Sequence, residues 1–264
     1  MRPTAAQFTI YQPLSTGARF ASGIGAMPIT VFSCCTYSTL RRSRTQDQWA
    51  AVHFVKAIKG VPLKGYAQVP LPGGDRGYLD EDTCRFAPDW FVRMAVTGID
   101  WESRSTRPMT LIPIPDAACD LSVLRPAKVA RLASGLALAL APKAASVLDV
   151  LRWAKPMPTA HQAGGTRDPQ ELYGRLRLAL RKLPPEIGSV ILVDDVLASG
   201  GHLRAAAAFL ADCGADVVAA VCAGRVDDSR DGQPEPFSMR QDALPDFVPD
   251  PDWLLPLVYD GVDL

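Results

Sequence analysis

The sequence lacks an excess of charge of either sign, a paired cysteine motif and a long apolar segment. Its 264 residues include 28 basic and 28 acidic ones, so no overall field attracts a polyanion. The six cysteines form no CxxC pair and no regular disulfide framework, and we expect a cytoplasmic location. No apolar run approaches the roughly 20 residues that cross a bilayer, and we therefore expect no membrane association.

What the sequence does contain is enough apolar material for a sizeable core. Hydrophobic residues make up 48% of the chain, which suits one α/β domain with additions or two small domains. Residues 1–30 show no sustained period, and residues 1–46 are interpreted as an N-terminal arm that either stands apart or contributes to a hood. Residues 47–225 are expected to form the core, and residues 226–264, which are rich in Pro and Asp, an irregular cap.

The later half of the chain alternates between two hydrophobic periods. Continuous apolar runs predict buried strands, and helical spacing predicts amphipathic helices between them. The strands are expected at 110–114, 146–151, 190–193 and 216–222, and the helices at 47–59, 128–140, 169–180 and 203–213. This alternation predicts an α/β fold with a mostly parallel sheet, whose ligands bind beyond the carboxyl ends of the strands.

The segment after the strand at 190–193 carries the chemistry. Asp194 and Asp195 leave a buried strand together, where two carboxylates repel and are costly to desolvate. They suit sugar hydroxyls and a divalent cation. Ser199, Gly200 and Gly201 then allow a tight turn at a helix N-terminus, which favours phosphate. The alternative is an N-capping acid beside a surface acid.

This order of strand, two acids, small residues, Gly and helix resembles the signature of the type I phosphoribosyltransferases. The whole chain is most similar to the ComF-like branch of that superfamily, with residues 111–115 resembling the strand before its pyrophosphate loop. The resemblance implies a Rossmann-like sheet with a terminal hood. It also implies Mg²⁺-dependent transfer of a 5-phosphoribosyl group between pyrophosphate and a nucleobase or related amine.

The resemblance also implies roles for particular residues. Asp194 and Asp195 are the expected metal ligands and, with Arg167 of a mobile loop at 161–168, the expected catalytic residues. Arg167 is expected to neutralise the leaving pyrophosphate. The expected substrate-binding residues are Asp116, Ala117, Ala118, Cys119, Ala198, Ser199, Gly200, Gly201 and His202. The acceptor base is expected in a hood, with candidates Arg225, Asp227, Asp228, Phe237 and Trp253.

Two departures from the family pattern leave a second function open. Ala198 and His202 stand where Thr is usual, and His202 could donate to the phosphate or face solvent. The alternative is a catalytically weak nucleotide-binding protein that acts through a partner in DNA uptake, regulation or phage defence. The expected ligand in both cases is phosphoribosyl pyrophosphate or a nucleotide. A homodimer is possible, and charge does not indicate a nucleic-acid partner.

Three further features have structural interpretations beside functional ones. Cys34 and Cys35 suggest zinc, but adjacent cysteines do not easily share one tetrahedral ion. His53 lies among the apolar positions of the first helix and is expected to pack rather than to bind a ligand, whereas His161 is open between the two roles. A cluster of three arginines, 41, 42 and 44, is either a phosphate contact or a solvated turn.

Overall fold

The computed structural model describes residues 28–40, 44–122, 125–158, 165–229 and 235–250. The strands within these ranges are β1 (Ile29–Tyr37), β2 (Ala67–Pro70), β3 (Arg76–Leu79), β4 (Met109–Pro113), β5 (Ala144–Val147), β6 (Leu151–Trp153), β7 (Leu176–Leu178), β8 (Ser189–Leu197), β9 (Asp216–Val226) and β10 (Arg240–Leu244). The helices are α1 (Gln46–Ile58), α2 (Ala87–Gly98), α3 (Ala130–Ala139), α4 (Pro169–Arg175) and α5 (Gly201–Asp212).

Six of the strands form one sheet in the order β10-β1-β9-β8-β4-β5. Every neighbouring pair is parallel except β10, which runs antiparallel to β1. The other strands form two antiparallel hairpins, β2-β3 and β6-β7. This arrangement confirms the predicted α/β class with a mostly parallel sheet.

The middle of the central strand β8, residues 190–193, is apolar because both faces of the sheet are covered there. Along β8, Ile191 and Val193 belong to a core shared with α1, α2 and α3. Val190 and Leu192 point to the other face and pack with α5 and the β6-β7 hairpin. All four side chains are fully buried, as expected for a parallel strand between two helical layers.

Helix α1 has well-defined ends, and its C-terminal end matters for the site. Thr45 caps its N-terminus in a capping box with Gln48. Lys59 is the C-cap residue, and Gly60 follows in the left-handed region at φ 68°. The helix therefore stops at Lys59 and leaves this side chain at the carboxyl edge of the sheet.

Strands β1 and β10 change the organisation expected from the sequence. The sequence predicts an arm outside the core for residues 29–37 and an irregular cap for residues 240–244, whereas both segments extend the central sheet. Val31, Phe32 and Cys35 of β1 are buried. The Gly, Pro and Ser-rich stretch just before residue 29 favours an irregular arm, so the sequence does not indicate β1. Strand β10 is half-exposed and has no apolar run that would predict a strand.

The β6-β7 hairpin also differs from the expectation. The predicted strand at 146–151 divides into β5 and β6, and the predicted helix at 169–180 ends at Arg175. Leu176 and Leu178 are buried on either side of Arg177, which is the period of a strand. The hairpin is important because it carries Trp153 to the site.

The remaining sequence features have structural roles in the described residues. His53 is buried, with its ring nitrogens 2.9 Å from the Trp49 carbonyl oxygen and 3.2 Å from that of Lys64. Arg44 donates to two backbone carbonyls of its own turn, and Arg41 and Arg42 lie outside the described residues. No helix in the described ranges is long and apolar enough to cross a membrane.

Candidate functional site

A cavity of about 230 Å³ lies at the carboxyl ends of β4 and β8. Parallel α/β sheets bind ligands at this edge. Most of the residues that the sequence singles out line this one cavity. They are Asp116, Ala117, Arg167, Asp194, Asp195, Ala198, Ser199, Gly200, Gly201 and His202.

The acid pair forms one side of the cavity. The backbone N–H of Asp195 donates to Oδ1 of Asp194 over 2.8 Å. Burial, and then the charge of Asp195, raise the pKa of Asp194 to about 8. Burial also raises the pKa of Asp195, against the charges of Lys59 and Lys128, which lower it. The pair therefore resists ionisation until a cation or hydroxyl donors compensate the charge.

The turn after the acid pair has the geometry of a phosphate site. Gly200 adopts φ 78° as the N-cap of α5, a conformation that favours glycine. The first backbone N–H groups of α5 lack intrahelical partners, and the helix dipole adds partial positive charge there. Ser199, Gly200 and His202 all line the cavity beside these groups. The turn can thus accept a phosphate.

Gly201 is required for a different reason, which is a close backbone approach. A Cβ atom at Gly201 would lie 2.0 Å from the carbonyl oxygen of Arg167. The segment before α4 therefore rests directly on the first residue of α5. His161 lies outside the described residues, so the structure says nothing of its role.

The loop after β4 is folded by Asp116. Its carboxylate forms an ion pair with Arg125 and accepts the backbone N–H groups of Ala118 and Lys128, over 3.2 Å and 3.0 Å. Ala118 is exposed and does not line the cavity, and Cys119 is fully buried with its N–H donated to the Asp116 carbonyl oxygen. Within the expected pyrophosphate loop, Asp116 and Ala117 therefore line the cavity, whereas Ala118 faces solvent away from it and Cys119 faces the interior.

Several residues that the sequence analysis did not select also line the cavity. Lys59 reaches from the end of α1, with Nζ 4.0 Å from Oδ1 of Asp195. Lys128 and Thr166 come from two loops, and Trp153 and Met157 form an apolar wall. Lys59 and Lys128 are ordinary charged residues at helix ends, and no local pattern marks them. Only the folded chain brings them together.

The residues proposed for the acceptor base lie elsewhere and already have partners. Arg225 pairs with Asp242. Asp228 accepts hydrogen bonds from the Ser38 hydroxyl and from both the N–H and the hydroxyl of Thr39. Phe237 packs edge-on against Phe54 in the core.

Asp227 accepts the N–H of Ser229, and Trp253 lies outside the described residues. None of the four described candidates lines the cavity. These four residues therefore do not support the expected hood. Arg225 and Asp228 join the end of β9 to β10 and to the residues after β1, whereas Asp227 bonds locally and Phe237 packs on α1.

Comparison with solved structures finds adenine phosphoribosyltransferases. The enzyme from Thermoanaerobacter pseudethanolicus is 16% identical over 65% of this chain and 87% of its own, with a TM-score of 0.35. The Saccharomyces cerevisiae enzyme is 15% identical over 67% and 90%, with a TM-score of 0.36. The Giardia lamblia enzyme is 14% identical over 66% and 98%, with a TM-score of 0.34. No family model and no curated protein sequence matches the chain.

Proposed function

We propose that the protein is a phosphoribosyltransferase of the type I superfamily, with phosphoribosyl pyrophosphate as its ligand. The observation that carries this proposal is the placement of the acid pair and the phosphate turn on one cavity. Asp194 and Asp195 suit the ribose hydroxyls, and the turn at Ser199, Gly200 and Gly201 suits the 5-phosphate.

The donor set at the acid pair suits Mg²⁺. Two carboxylates with raised pKa values on one cavity wall favour a hard divalent cation, which needs few protein ligands and takes further oxygens from phosphate and water. Asp194 and Asp195 would hold this ion. When bound, it would supply positive charge to the leaving pyrophosphate.

The chain's own residues account for the rest of the proposed reaction. A nucleobase nitrogen forms a bond to C1 of the ribose while the bond from C1 to the pyrophosphate oxygen breaks. Lys59 and Lys128 place positive charge near the acid pair, where the pyrophosphate departs. Trp153 and Met157 form a wall that limits access of water, which would otherwise hydrolyse the sugar.

The test is turnover with a panel of purine and pyrimidine bases. The protein is incubated with phosphoribosyl pyrophosphate, Mg²⁺ and each base, and pyrophosphate and nucleotide are measured together. We expect equal amounts of both products with at least one base. Asp195→Asn is expected to abolish the reaction. Ligand binding without either product, for every base, would contradict the proposal.

The position of the acceptor candidates favours a second function. None of the four described candidates lines the cavity, and each contacts other residues, as Arg225 does in its ion pair with Asp242. A protein that binds a phosphoribosyl compound without an acceptor site would act as a sensor for a partner, with binding but no turnover. The same incubation, combined with a binding measurement, separates this function from the first.

A further inference from the structure

The backbone of Arg167 lies at the phosphate turn that follows the acid pair. Its carbonyl oxygen would be 2.0 Å from a Cβ atom at Gly201, so its backbone is packed against the first turn of α5. Arg167 lines the cavity together with His202, the next residue of that turn. Arg167 and His202 thus approach the same end of the cavity from two segments of the chain.

The charges around the cavity divide into two groups. The ammonium of Lys59 lies 4.0 Å from Oδ1 of Asp195, and Lys128 lines the same cavity. The backbone oxygen of Arg167 instead lies against Gly201, one residue before His202. Lys59 is therefore beside the acid pair, and the Arg167 backbone is beside the turn.

Neither side chain at the turn has a counter-ion in the part of the chain that the structure describes. No described carboxylate pairs with Arg167, and no described group hydrogen-bonds to the His202 ring. The ring is held edge-on against Trp153, at 5.9 Å between centroids, and Trp153 donates to the Asp116 carbonyl oxygen over 3.1 Å. The imidazole is thus fixed in place beside an arginine and a helix N-terminus, which favours a shared anion.

We propose that Arg167 and His202 clamp the 5-phosphate of the phosphoribosyl ligand from two sides, while Lys59 and Lys128 serve the pyrophosphate. This inference rests on the proposed function and refines it. It moves Arg167 from the leaving pyrophosphate, where the family resemblance puts it, to the phosphate that is retained. It also explains why His in place of Thr at 202 is compatible with phosphate binding, because the imidazole supplies a donor that the hydroxyl supplies elsewhere.

The experiment measures the two phosphate groups separately by calorimetry. Ribose 5-phosphate is titrated alone, and pyrophosphate is titrated with Mg²⁺ in the presence of saturating ribose 5-phosphate. The variants are Arg167→Gln, His202→Gln and Lys128→Gln. Arg204→Gln is the matched control, because Arg204 lies two residues after His202 but is directed toward the Asp246 carbonyl oxygen and Phe247.

We expect Arg167→Gln and His202→Gln each to weaken ribose 5-phosphate about tenfold, the usual effect of losing one charge-assisted hydrogen bond. The affinity for pyrophosphate should change less than about twofold in Arg167→Gln and in His202→Gln, because neither side chain is expected to contact that group. Lys128→Gln should show the opposite pattern, and Arg204→Gln should change neither. The double variant of Arg167 and His202 should lose less than the sum of the two single losses, because both side chains contact one anion.

Weaker pyrophosphate binding with unchanged ribose 5-phosphate binding in Arg167→Gln would overturn the inference. Unchanged ribose 5-phosphate binding in both single variants would also overturn it. Thermal melts of each variant establish that the fold is retained. If the variants show the expected losses but the native protein turns over no base, the clamp stands and the transferase proposal fails.

Discussion

Two charged regions lie at the same edge of the sheet and differ in how their charges are compensated. Around β1, β9 and β10, Asp228 accepts three hydrogen bonds from Ser38 and Thr39, and Arg225 pairs with Asp242. Around β8, Asp194 has a raised pKa, and Arg167 has no acidic partner among the described residues. The first region uses charge to hold strands together, whereas the second leaves charge available for a ligand.

The direction of the pKa shifts expresses the same contrast. Hydrogen bonds from Thr39 and Ser38 lower the pKa of Asp228, so its ionised form is the stable one. Burial and a neighbouring carboxylate raise the pKa of Asp194. A carboxyl whose ionised form the fold stabilises has a structural role. A carboxyl whose ionised form the fold destabilises is a candidate for a functional site.

The largest expected effect compares Asp195→Asn with Asp228→Asn. The first change removes a carboxylate from the cavity and should weaken the binding of phosphoribosyl pyrophosphate with Mg²⁺ about 100-fold. The second should leave this affinity unchanged, because Asp228 does not line the cavity. Equilibrium dialysis with labelled ligand measures both. Equal losses in the two variants would remove the distinction between the regions.

Gly201→Ala tests the contact between the Arg167 segment and α5. The new Cβ meets a backbone oxygen that has no room to move aside, so we expect destabilisation of about 1–3 kcal/mol and about tenfold weaker ribose 5-phosphate binding. Thermal denaturation and calorimetry measure the two effects.

Gly135→Ala is the matched control for that change. Gly135 lies within helix α3, and a Cβ atom there would meet only a methyl group of Val92 in α2, at 3.0 Å. It should keep native affinity, and its stability should stay level or rise, because Ala is a better helix former than Gly. Native ligand affinity in Gly201→Ala would show that the close approach has no part in binding.

The two carboxyls should also have opposite effects on stability as pH changes. The pKa of Asp194 is raised on folding, so its contribution is fully present below about pH 4 and is lost as pH rises toward about 8. In the metal-free protein, Asp194→Asn should therefore raise Tm by about 2–4 °C more at pH 8 than at pH 5.

Asp228→Asn should act in the other direction. The pKa of Asp228 is lowered on folding, so its contribution is present at neutral pH and is lost as pH falls below about 4. This variant should lower Tm at pH 8, and the deficit should shrink in acid. Thermal melts across the pH range test both slopes. If the change in Tm had the same dependence on pH in both variants, the assignment of a functional role to Asp194 and a structural role to Asp228 would be contradicted.

The smallest expected effect concerns Lys59. Its ammonium lies 4.0 Å from Asp195 and is partly exposed to solvent, which screens its charge. Lys59→Met should weaken pyrophosphate binding about threefold at low salt and less at high salt. Lys56→Met, on the exposed side of the same helix, should have no effect. A similar loss in both variants would indicate a general change in charge instead.

The sequence predicts the part of the site that is contiguous in the chain. A buried strand, two acids and a Gly turn form one local unit, because the strand end and the helix start fix the positions of Asp194 and Gly200. The parallel sheet also follows from the alternation of apolar runs and helices. The loop after β4 is predicted only in outline, because Asp116 and Ala117 line the cavity whereas Ala118 is exposed away from it.

The remainder depends on contacts between distant segments. Lys59, Lys128 and Trp153 reach the cavity from α1, a loop and a hairpin, and no local pattern identifies them. Strand β10 is half-exposed and short, so its pairing with β1 is decided by tertiary packing. Residue type alone suggests the acceptor candidates, and in the fold Arg225 and Asp228 use their charge to join strands instead.

The most direct test of the central claim is a calorimetric titration of phosphoribosyl pyrophosphate into the native protein, with and without Mg²⁺, repeated on the Asp194→Asn/Asp195→Asn double variant. We predict binding that requires both the cation and the two carboxylates, and that disappears in the double variant. Equal binding with and without Mg²⁺, or binding that survives the loss of both acids, would contradict the account of this cavity as a phosphoribosyl site.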